Sequence, residues 1–192
     1  LTSHPRKVCC NDHHQLRPMY ENLIGIQAET GKMAPQLATE WGLEPDGQSV
    51  RFKLRRGVKF NGGDWGDFSA RDVVHSWEAL VGNADSHGRS VYWRATVKKI
   101  DAVNEQEVLM HIVPEAQIFN GISELYGQVL MHSKAYFDAK GDTKAEDLTP
   151  PAGTGPYQYQ ARDLSSYIRF ERPSFAHWRA APDFRELEIR WI

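Results

Sequence analysis

The sequence predicts a mixed α/β fold, and two observations carry that prediction. Val50, Phe52 and Leu54 alternate with Arg51, Lys53 and Arg55, and a second alternation runs through residues 167–172, where Ile168 and Phe170 interleave with Tyr167, Arg169 and Glu171. Period two of this kind marks half-buried strands. After Ser69 the spacing changes: Val73, Val74, Trp77 and Leu80 recur at helical intervals. A chain that switches from one period to the other within twenty residues builds both kinds of element.

Taken in order, residues 1–18 form an irregular segment with three His and two Cys. Residues 19–26 are apolar-rich and read as a short helix or strand entering the core, and Pro35 opens another short segment that closes at Trp41-Gly42. Glu44-Pro45-Asp46-Gly47 has turn chemistry, Pro early and Gly late. The strand at 50–55 follows, then a short strand at 58–60 and a turn at Asn61-Gly62-Gly63. Ser69 with Asp72 three residues on is a capping-box start for a helix over 70–80. Residues 100–103 and 107–112 make a hairpin turning at Asn104-Glu105. Residues 114–137 read as helix, crossing, helix. A polar loop at 138–151 leads to Gly153-Thr154-Gly155-Pro156, where glycine is expected to supply unusual φ and proline to fix entry into the next strand. Leu187, Ile189 and Trp191 alternate with charged residues to the end of the sequence.

Bulk properties exclude several function classes. Apolar residues make up 41% of the 192 residues, charged residues 25%, and mean hydropathy is −0.56. Disorder and membrane spanning are not expected at these values. The longest stretch without a charge, Leu148 to Ala161, is too short and too polar for a membrane helix. With net charge −2 and scattered Lys and Arg, nothing predicts a nucleic-acid partner. Residues 1–7 are polar and precede no apolar core of a secretory signal.

The constellations that could carry chemistry are few. Cys9, Cys10, His13 and His14 are four ligand-type side chains in six residues, but zinc sites space paired ligands more widely and draw on two segments, so no metal and no cofactor are expected. Adjacent cysteines do not suit a mutual disulfide. Ser76, Thr154 and Ser165-Ser166 lack a neighbouring base, and no nucleophile elbow is present, so the chain is not expected to be an enzyme. Six tryptophans are many for this length. Trp77 belongs to the apolar helix face, whereas Trp93, following a polar loop, fits a pocket wall or core packing equally.

Five segments in order resemble one family. They are Met19-Tyr20-Glu21-Asn22-Leu23; Pro35-Gln36-Leu37-Ala38 with Trp41; Pro45-Asp46-Gly47 with Phe52-Lys53-Leu54-Arg55-Arg56-Gly57-Val58-Lys59-Phe60; Ser69-Ala70-Arg71-Asp72-Val73-Val74-His75-Ser76-Trp77; and Gly153-Thr154-Gly155-Pro156-Tyr157. Together they resemble the family 5 extracellular solute-binding proteins, which include oligopeptide-, dipeptide- and nickel-binding proteins. The resemblance implies a type II periplasmic-binding-protein-like fold of which residues 19–192 are the first lobe, ending at the interlobe crossover with the second lobe absent. It implies periplasmic or other extracytoplasmic capture of a solute, a peptide, for an ABC permease. By region it places ligand contacts at His13, His14 and Arg17, at Tyr92 and Trp93, and at Tyr126 and Gln128. Trp93 and Tyr126 are then expected to face an open cleft, which in an isolated lobe would either stay a ligand-free open face or serve self-association. Two other readings are a metal-dependent enzyme using the Cys/His cluster and the ligand-sensing domain of a transcription regulator.

Overall fold

The computed structural model describes residues 13–82, 90–116, 129–141 and 152–191. The chain divides into two compact units, each assembled from separated stretches: Leu1–Glu21, Gly57–Phe68 and His132–Ile192 form the first, Asn22–Arg56 and Ser69–Met131 the second.

The second unit holds a small hairpin, β1 (Ile24–Ile26) with β2 (Met33–Pro35), and a four-stranded antiparallel sheet. That sheet contains β3 (Ala38–Leu43), β4 (Ser49–Leu54), β5 (Val97–Asn104) and β6 (Glu107–Ile112) in the order β3-β4-β6-β5. The predicted turn at 44–47 joins β3 to β4, with Gly47 at φ +67, a conformation that glycine adopts without cost. Val50, Phe52, Val108 and Met110 sit directly across from one another on the core face and have no exposed surface. The other face is polar: Arg51 reaches Glu44 at 2.8 Å and Lys53 reaches Glu40 at 2.9 Å.

Helix α2 (Ala70–Val81) packs on β5 and β6 through Ala70, Val73, Trp77 and Leu80, which lie on one side at helical spacing and are buried. Its start follows the predicted capping pair. The Asp72 carboxylate accepts the Ser69 backbone N–H and the Ser69 hydroxyl, both at 2.9 Å, answering one of the unpaired groups of the first turn. Helix α3 (Ser90–Thr96) leads straight into β5.

The first unit contains a four-residue turn of helix, α1 (His13–Leu16), helix α4 (Lys134–Lys140) and an antiparallel sheet β7-β8-β9, formed by Gln158–Asp163, Tyr167–Glu171 and Glu186–Arg190. The expected strand at 58–60 is reduced to one bridge, Lys59 with Asp67. Three glycines at positive φ, Gly62, Gly63 and Gly66, turn the chain too tightly there for a ladder. Of the elements expected over 114–137, residues 117–128 lie outside the described part; the rest supplies α4, shifted toward the C-terminus.

Candidate functional site

In the first unit, the segment from Arg17 to Glu21 is gripped by the Gly-Thr-Gly-Pro-Tyr stretch. Gly155 N–H donates to Met19 O at 2.8 Å and Tyr157 N–H to Pro18 O at 3.0 Å. On the other side Asn61 closes the grip: its backbone N–H donates to Gly153 O, and its side-chain amide donates to Gly155 O and Tyr157 O, each at 2.8 Å. A Cβ built on Gly153 or Gly155 would lie well under 3.0 Å from backbone atoms of residues 18 and 19. Neither glycine has positive φ. The expectation of unusual φ is thus corrected: glycine is required here so that two backbones can touch.

The grip presents Glu21 to a buried polar cluster. Its carboxylate, 1% exposed, accepts Trp178 Nε1–H and an Arg179 Nη2–H, both at 2.8 Å. His177 lies 3.6 Å away and is itself buried. Its Nδ1 accepts the Arg179 backbone N–H at 3.3 Å, so the network assigns the proton to Nε2, which donates to Thr154 O at 3.1 Å. A buried carboxylate needs such partners, because an unpaired buried charge costs several kcal/mol. Nothing in the order of residues connected Glu21 with a Trp-Arg pair more than 150 positions away.

The site residues expected from sequence fall in different places. His13 and His14 belong to α1, with side chains outside the described part; Arg17, just before the grip, is exposed. In the second unit Tyr92 is 38% exposed, beside the 67% exposed Val91. Trp93, expected to face an open cleft, has no exposed surface. The reason is helical: residues 93, 96 and 97 turn inward while 91, 92, 94 and 95 turn outward, and the packing alternative for Trp93 is the one the structure takes. Trp77 is buried as expected. Tyr126, Gln128 and the Cys9/Cys10 pair lie outside the described residues. Among the described residues no group of three or more His, Cys, Asp or Glu is arranged to hold a metal, and no helix is long and apolar enough to cross a membrane.

One arrangement that sequence reading missed has the look of a hydrolase relay. Ser49 Oγ is 3.1 Å from His111 Nδ1, and His111 Nε2 is 2.9 Å from Asp101 Oδ2. Ser49 and His111 are direct cross-strand partners on β4 and β6, a register that spans 62 positions. The geometry does not suit a nucleophile. Ser49 is 2% exposed, so its hydroxyl cannot meet a substrate. Its backbone N–H is held by Asp46 Oδ1 at 2.8 Å. Lys99, 2.5 Å from Asp101, neutralises the acid and, ahead of His111, holds the Asp101 carboxyl below the ordinary carboxylate range. The trio acts as a polar seam across three strands.

The sequence profile of the bacterial extracellular solute-binding proteins, family 5 Middle, matches residues 32–192. The chain belongs to that family. It is 30% identical over 190 residues to the dipeptide-binding protein of Escherichia coli K12, covering 88% of this chain and 34% of that protein. It is 24% identical over 189 residues to the peptide transport periplasmic protein SapA of Haemophilus influenzae, covering 80% of this chain and 34% of the relative. Among solved structures, the Helicobacter pylori periplasmic binding protein DppA, in complex with the peptide STSA, superposes with a TM-score of 0.82 at 22% identity. That match covers all of this chain and 40% of the other. The fold is therefore part of the type II periplasmic-binding architecture, and the chain spans about a third of the length of the curated relatives it matches.

Proposed function

We propose that this chain serves extracytoplasmic capture of peptides for import by an ABC permease, as a binding component without catalysis. The observation that carries the reading is the family match over residues 32–192, joined to the 30% identity with a dipeptide-binding protein. Periplasmic names among the relatives support the location. The buried Ser49 supports the non-enzymatic reading, since the relay-like trio offers no accessible nucleophile.

Ligand contact is assigned to His13, His14, Arg17, Tyr92, Tyr126 and Gln128, with Val91 added beside Tyr92 and Trp93 withdrawn to the core. The self-association expected through a cleft walled by Trp93 loses that wall, because Trp93 has no exposed surface.

The test is titration of the chain with defined di- and tripeptides, read by tryptophan fluorescence and calorimetry. Saturable binding that drops at least about fivefold in Tyr92→Ala, and stays unchanged in Arg71→Ala on the exposed side of α2, is the expected result. No saturable response up to about 10 mM peptide, or identical binding by Tyr92→Ala, would overturn it.

A further inference from the structure

We infer that the loop joining β8 to β9 carries an oxyanion site, separate from the peptide reading and lying wholly within the first unit. Three cross-strand rows lead to it. Ile168 faces Ile189, Phe170 faces Leu187, and Arg172 then faces Arg185, with Arg172 N–H donating to Arg185 O at 2.8 Å. Residues two apart on a strand share a face, so the two arginines continue the row that begins with the buried Ile168 and Phe170.

Beside them opens a groove of about 450 Å³, walled by Pro173, Phe175 and Pro182 and edged by Ser174. No acidic side chain lines it. Glu171 and Glu186 fall on the opposite face of the same strands, and Glu171 already accepts Gln158 Nε2–H at 2.9 Å. Arg172 spends one donor on Pro182 O at 3.3 Å. Arg185 makes no side-chain hydrogen bond or ion pair among the described residues.

Like charges placed directly across a strand pair repel. An anion between them converts that repulsion into two attractions, and the planar guanidinium forks match the paired oxygens of a carboxylate or the oxygens of a phosphate. The apolar wall suits a small acid whose remaining part is hydrophobic. The groove has the size of a small-molecule site rather than a protein interface.

The experiment uses the 192-residue chain at low ionic strength, titrated separately with succinate and with inorganic phosphate. Calorimetry gives the affinity, and the Nε–H resonances of the arginines give the location. We expect one-to-one saturation with shifts at Arg172 and Arg185, at least a tenfold loss in Arg185→Ala, a partial loss in Arg185→Lys, and no change in Arg71→Ala. A tighter succinate assigns a carboxylate ligand and a tighter phosphate assigns a phosphate ligand. Thermal melts supply a second readout: Arg185→Ala without anion melts no lower than the parent chain, and only the parent gains on adding anion. No saturation with either anion up to about 10 mM, or undiminished affinity in Arg185→Ala, overturns the site. Neither outcome touches peptide binding, which is read through Tyr92.

Discussion

The two units solve the same problem of burying polar backbone in different ways. In the second unit the hairpins β3–β4 and β5–β6 satisfy their main chains along regular ladders, and the core face is a plain apolar row of Val50, Phe52, Val108 and Met110. Its charges stay on the outer face or at a helix start. In the first unit, three stretches distant in sequence meet through irregular backbone. The meeting is held by the Asn61 amide, by glycines without side chains, and by a buried carboxylate at Glu21. Regular ladders tolerate substitution at their edges. A backbone-to-backbone grip around a buried charge does not, because each group removed leaves its partner unsatisfied.

The largest expected effect breaks that contrast at a single added methyl group. Gly153→Ala places a Cβ against Met19 O and the Tyr20 ring, and should cost about 3 kcal/mol or more. Gly42→Ala, in β3, meets nothing within 4 Å and should be neutral or stabilise by about 0.5 kcal/mol. Urea unfolding of both variants decides the matter; equal midpoints would show that the grip is not tight. Next comes Glu21→Ala. It removes a carboxylate that serves Trp178 and Arg179, and a loss of about 2–3 kcal/mol is expected. Arg179 is half exposed and can turn to water, which keeps the figure from being larger. A loss below about 0.5 kcal/mol by the same measurement would make the cluster incidental.

Much of the second unit was legible in the sequence because its contacts follow local rules. Alternation at 50–55 showed which side chains of β4 face inward, the turn at Asn104-Glu105 marked the β5–β6 hairpin, and Ser69 with Asp72 announced α2 at the right residue. What local rules cannot express is register. Ser49 meets His111 only because β4 pairs with β6, and no pattern around either residue shows this. Trp93 was ambiguous for a related reason: a seven-residue helix offers too few turns to define its inner face. In the first unit the Gly-Thr-Gly stretch was visible as a motif, but its purpose was misread. Close approach and positive φ both call for glycine, and only the position of Met19 O separates them.

A smaller effect sharpens the second unit's side of the comparison. Asp72→Ala removes the acceptor that serves both the Ser69 N–H and its hydroxyl. The start of α2 should fray, lowering stability by about 1–2 kcal/mol. Amide hydrogen exchange confined to residues 70–73 is the expected signature. Unchanged exchange there would mean that packing of Val73 and Trp77 alone holds the helix end.

The smallest effect compares a half-buried surface carboxylate of each unit under acid. Asp101 in the second unit is held below its ordinary value of 3.8, first by the hydrogen bond from Lys99 and then by His111. Glu188 in the first unit is held below 4.5 by hydrogen bonds from Arg169 and, after it, Arg190. In both cases the folded state depresses the carboxyl, so the native state favours the charged form. The contribution is fully present above the unfolded value and is lost as pH falls through the folded one. Because the glutamate starts from the higher reference, its loss begins below about pH 4.5, and that of Asp101 below about pH 3.8. Both carboxyls keep part of their surface in solvent, and salt screens such pairs, so each step should be slight and should shrink further in salt. Carboxyl-carbon resonances followed on acidification read the two groups separately. Glu188→Gln should remove the earlier step and Asp101→Asn the later one. If both carboxyls titrate at their ordinary values, the surface pairs of the two units contribute nothing, and the difference between the units rests on the buried grip alone.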